Sequence, residues 1–246
     1  MQINCGDRQA EVKVMPKASK AYILRIDDPI SIEYAKVCAE SCDKVGLEWE
    51  YFAGFQDIKA RQAWRQTGIK LSSITDKLVE QEAKISKAEV CSAGHANIWK
   101  TVAEGEHEAV IILEHDAVML HNIDLDIPDG VIVALGYKLA NIEKYNHIAA
   151  GPPKKLTPIK GHEGAHAYAL TKKTARGMIE EIEANGRPLA AVDNAYFIKN
   201  QRKTKYDLMI ADPTPAIGWL RESTIWKKSA LRNEPFIESF KSNLSR

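Results

Sequence analysis

Residues 161–170, GHEGAHAYAL, carry His162, Glu163 and His166 in the order HExxH, and residues 109–116, AVIILEHD, end an apolar run in Glu114, His115 and Asp116. The two clusters ask for different chemistry. HExxH holds zinc when its histidines, four apart, share one face of a helix and the glutamate serves as general base. Carboxylates two apart project to one side of an extended chain, and at about 4 Å they repel by roughly 4 kcal/mol at an effective dielectric of 20. A divalent cation relieves that repulsion. Oxygen donors of this kind favour Mg²⁺ or Mn²⁺, which keep several waters and share coordination with substrate phosphates. The same acids could equally end a strand and cap the next turn, and spacing alone leaves both readings open.

Local context speaks against zinc. Gly161 and Gly164 flank and interrupt the motif, each costing about 1 kcal/mol against alanine inside a helix. AHAYAL, residues 165–170, alternates as a strand does, and no histidine follows His166, so a third ligand would have to come from Glu180, Glu181 or Glu183. The acid run sits where chemistry is expected, at the carboxyl end of a strand apolar enough to be buried on both faces.

The elements that would position these residues alternate. Residues 21–26 (AYILRI) predict a strand, 30–45 a helix and LEWEYFAG a second strand. Residues 55–87 form a polar, helix-prone excursion broken at Gly68. From 88 to 103, Val90, Gly94, Ile98 and Val102 recur every four residues as one helical stripe with small residues for close packing on a sheet. Residues 109–113 and 130–136 predict strands, and an irregular stretch runs on to Lys160. After AHAYAL, Thr171 is the expected cap of a helix with Ala175, Met178, Ile179 and Ile182 inward and Asn185-Gly186 at its end. A helical segment at 192–198 and a strand at 206–211 follow. This order predicts an α/β sandwich with a largely parallel sheet.

The chain has 246 residues, 45% hydrophobic and 27% charged, enough for one large domain with a substantial core. Lys and Arg number 34 against 33 for Asp and Glu, so no overall charge draws it to nucleic acid or anionic membrane. Basic patches at 199–205 (KNQRKTK) and Lys227-Lys228 are read either as solvated surface or as contacts for a phosphorylated ligand or nucleic acid. No apolar run approaches the roughly 18 residues of a membrane span, and no signal peptide opens the chain. A cytoplasmic location is therefore expected, with Cys5, Cys38, Cys42 and Cys91 as reduced thiols.

Several short pieces, in colinear order from about residue 20 to 225, resemble glycosyltransferase family 25, the lipopolysaccharide and collagen galactosyltransferase type. They are YILRIDDPIS, WEYFAGF, KAEVCSAGHANIWKTV, AVIILEHDAVM, GAHAYALTKKTARGMIEEI and AAVDNAYF. The third is similar to the family's Glu-x-Gly-Cys-x-x-Ser-His helix, the fourth to its strand ending in Glu-Asp-Asp, the fifth to its Gly-Thr-His-Ala-Tyr segment and the last to its Pro-Val-Asp segment. The middle acid of Glu-Asp-Asp is His115 here, Gly94 stands for the serine before His95, and Val90 for a glycine.

The resemblance implies a single domain of the GT-A (Rossmann-like) α/β/α type with peripheral terminal segments. It implies a nucleotide-sugar donor, usually UDP-linked, Mn²⁺ or Mg²⁺ as cofactor, and inverting transfer of a hexose such as galactose or glucose to a hydroxyl. The acceptor could be a glycan such as a lipopolysaccharide precursor, a protein or a modified base, with DNA disfavoured by the neutral charge. It casts Asp116 and Glu114 as metal ligands, Asp193 as general base, and His115, His166, Arg25 and Asp27 as donor-binding residues. Asp193 could instead be a helix N-cap, His166 could be structural, and His95 either meets the acceptor or packs as a hydrogen-bonded core residue. The alternative function is a non-catalytic nucleotide-sugar or carbohydrate-binding protein. A zinc hydrolase built on HExxH is the third reading; under the resemblance the HExxH order is coincidence.

Overall fold

A computed structural model describes residues 15–74, 86–138, 152–162, 164–198 and 204–218. The first strand, β1 (Lys20–Arg25), leads through Asp28, whose side chain accepts from the backbone N–H of Ile30 and Ser31, into α1 (Pro29–Lys44). Proline at the first helical turn loses no hydrogen bond there. β2 (Trp49–Ala53) and the short α2 (Ala60–Gln66) follow. Ser86, three residues before Glu89, caps α3 (Lys87–Glu104). Then come β3 (Ala109–Glu114), β4 (Ala117–Met119), β5 (Val131–Ala134), β6 (Gly136–Lys138), β7 (Lys155–Pro158) and β8 (Ala167–Thr171). Thr171 caps α4 (Lys172–Asn185), which Gly186 ends in the left-handed conformation at φ 62°. A π-helical turn, Asp193–Phe197, precedes β9 (Asp207–Asp212) and β10 (Ala216–Gly218).

Among the described residues these strands form a seven-stranded sheet in the order β2-β1-β3-β8-β5-β9-β7 and a three-stranded sheet, β4-β10-β6. In the large sheet β2, β1, β3, β5 and β9 run one way and β8 and β7 the other, so the expectation of a mainly parallel α/β sheet holds. Alternation along each strand splits the core in two. Tyr22, Leu24, Val110, Ile112, Tyr168 and Leu170 face Trp64 of α2, Trp99 of α3 and Met178 of α4. Ile23, Ile111, Leu113 and Val133 face Ala35, Cys38 and Cys42 of α1, with Ala117 and Met119 of the small sheet on the same side. Cys38 and Cys42 are fully buried core thiols.

The close packing read from α3 is present: a Cβ on Gly94 would lie 3.4 Å from Leu24 Cδ1. Four details differ from the sequence reading. Residues 130–136 do not form one strand, because the chain leaves the large sheet at Leu135. Leu135 N–H donates to Ala167 O, while its own carbonyl accepts from Ala216 N–H. Gly136 then passes so near β10 that a Cβ would collide with Ala216 O. The stretch read as irregular contains β7, and the helical segment at 192–198 is a single π turn. Ile179, read as part of the buried stripe of α4, is only partly buried.

The Thr171 hydroxyl joins three parts of the fold: it accepts from Thr174 N–H at 3.1 Å, donates to Asp129 Oδ1 at 2.9 Å and ends a central strand. Thr171→Ala should lower stability by about 1–2 kcal/mol, measured as a reduced urea midpoint with unchanged slope.

Candidate functional site

β1 and β3 end at the same edge, since Leu24 is paired with Glu114. β8 runs the opposite way and therefore begins there. Glu114 N–H donates to His166 O at 2.8 Å, so the end of the acid-bearing strand and the histidine ahead of β8 are joined through the backbone. Arg25 stands one residue beyond the Leu24–Glu114 pair with its guanidinium 4.6 Å over the Tyr51 ring, a cation–π contact. Asp27 is exposed in the β1–α1 loop, next to the capping Asp28.

Glu114 continues the parity of Val110 and Ile112 and faces α3. His95, fully buried on α3, places Nε2 3.1 Å from Glu114 Oε1 and Nδ1 2.9 Å from Tyr168 Oη. Trp99 Nε1–H donates to the same hydroxyl at 2.8 Å. The proton positions follow from what each group can do. Indole only donates, and an ionised carboxylate only accepts, so the chain runs Trp99 N–H to Tyr168 O, Tyr168 O–H to His95 Nδ1, and His95 Nε2–H to Glu114. Every member has a partner in this arrangement. Burial pushes the Tyr168 phenol well above its ordinary range, so the donor at the middle of the chain stays protonated. His95 is thus a packed, hydrogen-bonded residue and a direct partner of Glu114.

His115 and Asp116 belong to the other layer. They form the turn between β3 and β4, where the backbone is no longer extended, so the geometry that would carry Glu114 and Asp116 to one side is interrupted. The His115 ring stacks on Tyr34 of α1 with centroids 6.0 Å apart. Burial, then the neighbouring Cys42 thiol, push the Cys38 thiol well above its ordinary range, and Asp116 is near enough that its charge adds to them.

His162 and His166 are not on a helix. His162 precedes β8 in irregular chain and sets Nδ1 3.0 Å from Gly164 O, with its ring 5.7 Å from that of His166; Glu163 lies outside the described residues. The helical face that HExxH zinc chelation requires is therefore missing. The His166 ring is fully buried against β10, where a Cβ on Gly218 would stand 2.9 Å from its Cδ2. Asp193 is the first residue of the π turn, whose cap position is Val192, so the N-cap reading of Asp193 does not hold. That turn docks on the same aromatic cluster: Tyr196 meets Trp99 edge-on at 5.2 Å, Phe197 meets Tyr168 at 5.3 Å, and Phe197 O accepts from His162 N–H at 2.9 Å. The basic patch at 199–205 lies mostly, and Lys227-Lys228 and Cys5 wholly, outside the described residues.

No family model matches the chain, and no curated protein matches it in sequence. Among solved structures it is similar to the glycosyltransferase GlyE of Streptococcus pneumoniae TIGR4 at 10% identity and a TM-score of 0.43, over 93% of this chain and 63% of that one. The chain thus spans less than two thirds of that protein's length. It is also similar to the galactosyltransferase LgtC, solved with donor and acceptor sugar analogs, at 10% identity and a TM-score of 0.39, over 91% and 95% of the two chains. A third likeness is to a glycosyltransferase involved in glycosylating the major capsid of PBCV-1, at 11% identity and a TM-score of 0.30, over 67% and 65%.

Trp99, Tyr168 and Cys91 were not singled out as site residues from sequence. Tyr168 shares strand parity with His166, and Cys91, His95 and Trp99 follow one another four apart, so helix period and strand parity together contained the signal. Tyr168→Phe removes the hydroxyl that Trp99 and His95 share and should cost about 1–3 kcal/mol, measured by urea unfolding. A loss under 0.5 kcal/mol would mean that water replaces the hydroxyl.

Proposed function

We propose that this chain is a glycosyltransferase of the GT-A type, moving a hexose from a nucleotide-sugar, with UDP as the nucleotide, to an acceptor hydroxyl with inversion. The observation that carries the proposal is the acid turn Glu114-His115-Asp116 at the carboxyl end of a central strand. It lies beside the buried His166, and the π turn led by Asp193 packs on the same aromatic cluster. The colinear motifs of glycosyltransferase family 25 support the same assignment. In this chemistry the acceptor oxygen bonds to the anomeric carbon as the bond to the diphosphate breaks, and the hydroxyl proton passes to a carboxylate. Asp193 is assigned that proton. Asp116, with Glu114 second, would hold Mn²⁺ or Mg²⁺, which stabilises the charge of the departing diphosphate. His115 and His166, with Arg25 and Asp27 at the end of β1, are assigned to the donor.

A second reading, a nucleotide-sugar-binding protein without turnover, draws on one observation: a buried histidine engages Glu114 Oε1. Donor hydrolysis without acceptor separates the two, since only a transferase releases free nucleotide.

The test is a thermal-shift panel of UDP-, GDP-, CMP- and dTDP-sugars, each with and without Mn²⁺. A true donor at a hundredfold its Kd adds about 2.7 kcal/mol of stability. Stabilisation by one nucleotide class only with metal supports the proposal, and none with any removes it. Asp116→Ala should abolish metal-dependent nucleotide binding while leaving the circular dichroism spectrum unchanged. Asp193→Asn should keep donor binding and lower the transfer rate by about 10²–10⁴-fold.

A further inference from the structure

Cys91 and His95, four apart on α3, share a helix face, and that face meets the end of β3. The Cys91 thiol, a His95 ring nitrogen and a Glu114 carboxylate oxygen all lie within 4.8 Å of one another, His95 buried and the other two half-exposed. Cys91 is not disulfide-bonded. We propose that Cys91 Sγ, His95 Nε2 and a Glu114 oxygen form a binding site for a borderline transition-metal cation, zinc by preference, separate from the hard-cation site assigned to Asp116.

The donor set makes the choice of metal. Sulfur, imidazole nitrogen and one carboxylate suit Zn²⁺ and its neighbours, whereas Mg²⁺ and Mn²⁺ are served by oxygen. Thiolate and carboxylate together balance a 2+ ion, so the loaded site is neutral beside an apolar core. Three protein ligands leave a fourth position for water or an incoming ligand at the edge where Glu114 and Cys91 are partly exposed. The partner on the far side of the ring is already within reach. On metal binding the Cys91 thiol releases its proton and the ring changes tautomer: its single proton moves from Nε2 to Nδ1, which then donates to Tyr168 Oη, while the Tyr168 O–H turns away from the ring and its oxygen still accepts from Trp99. A hydrogen bond from the far ring nitrogen is the usual support of a ligating histidine. Glu114 already faces α3, so a zinc held there leaves the hard cation to Asp116 without Glu114.

The test titrates the purified full chain with Co²⁺, the spectroscopic stand-in for zinc, and then with Zn²⁺ as competitor. One equivalent should bind with a thiolate-to-cobalt charge-transfer band that Zn²⁺ abolishes. Cys91→Ser should remove the band while circular dichroism shows an intact fold. Glu114→Gln should weaken binding and keep the band, and Tyr168→Phe should weaken it by about 10–100-fold. Absence of the band, or its survival in Cys91→Ser, overturns the proposal. Asp116→Ala should leave cobalt binding unchanged. Because it removes only the site proposed for nucleotide binding, failure of the glycosyl-transfer reading and failure of this site show up in different measurements.

Discussion

The chain Trp99–Tyr168–His95–Glu114 is the interaction on which the rest of the site depends. Three fully buried side chains from α3 and β8 carry polar atoms into an apolar layer, where an unmade hydrogen bond costs about 1–3 kcal/mol. That cost is avoided only when α3 is seated in one register against β8 and β3. The network therefore fixes α3 on the sheet in a way that apolar contact, which is non-directional, does not. Its last member is the acid that ends β3, so the packing of the core and the placement of a candidate functional carboxylate are one problem.

The run Glu114-His115-Asp116 is divided between two layers because β3 ends at Glu114 and the chain turns at His115 and Asp116. Glu114 inherits the α3 side from Val110 and Ile112, and the chain then reverses toward β4 with His115 against Tyr34 of α1. The single antiparallel strand between β3 and β5 completes the edge. A parallel strand there would have delivered its end to this place, whereas β8 delivers its beginning, and so His166 arrives next to Glu114.

Much of this was legible in sequence. The α3 stripe, the Thr171 cap, the Gly186 stop and the buried run at 109–113 all appear where period and turn chemistry put them, because each is a local signal of at least one helical turn or five strand residues. β4, β6 and β10 are three residues long and show no period, so a sequence pattern could not reveal them; they exist by pairing with one another. The site was half legible. His95, His115, His166, Asp116 and Asp193 stand out by residue type, while Tyr168 and Trp99 read as ordinary core and gain their role only from the crossing of α3 and β8. The HExxH order was discounted in sequence because glycines flank and interrupt it, and His162 and His166 indeed lie outside any helix.

The two borders of the large sheet carry a consequence for solubility. β2, at one border, exposes Glu50 and Tyr51, with Lys20 of β1 paired to Glu50 at 2.7 Å. β7, at the other, is four residues long, begins with a lysine joined to Asp212 and ends in a proline that has no amide hydrogen to offer. Short strands, charge and proline on a border discourage another chain from adding to the row of open backbone groups. Among the described residues the seven-stranded sheet therefore ends, at both sides, in segments that are poor templates for association into fibres.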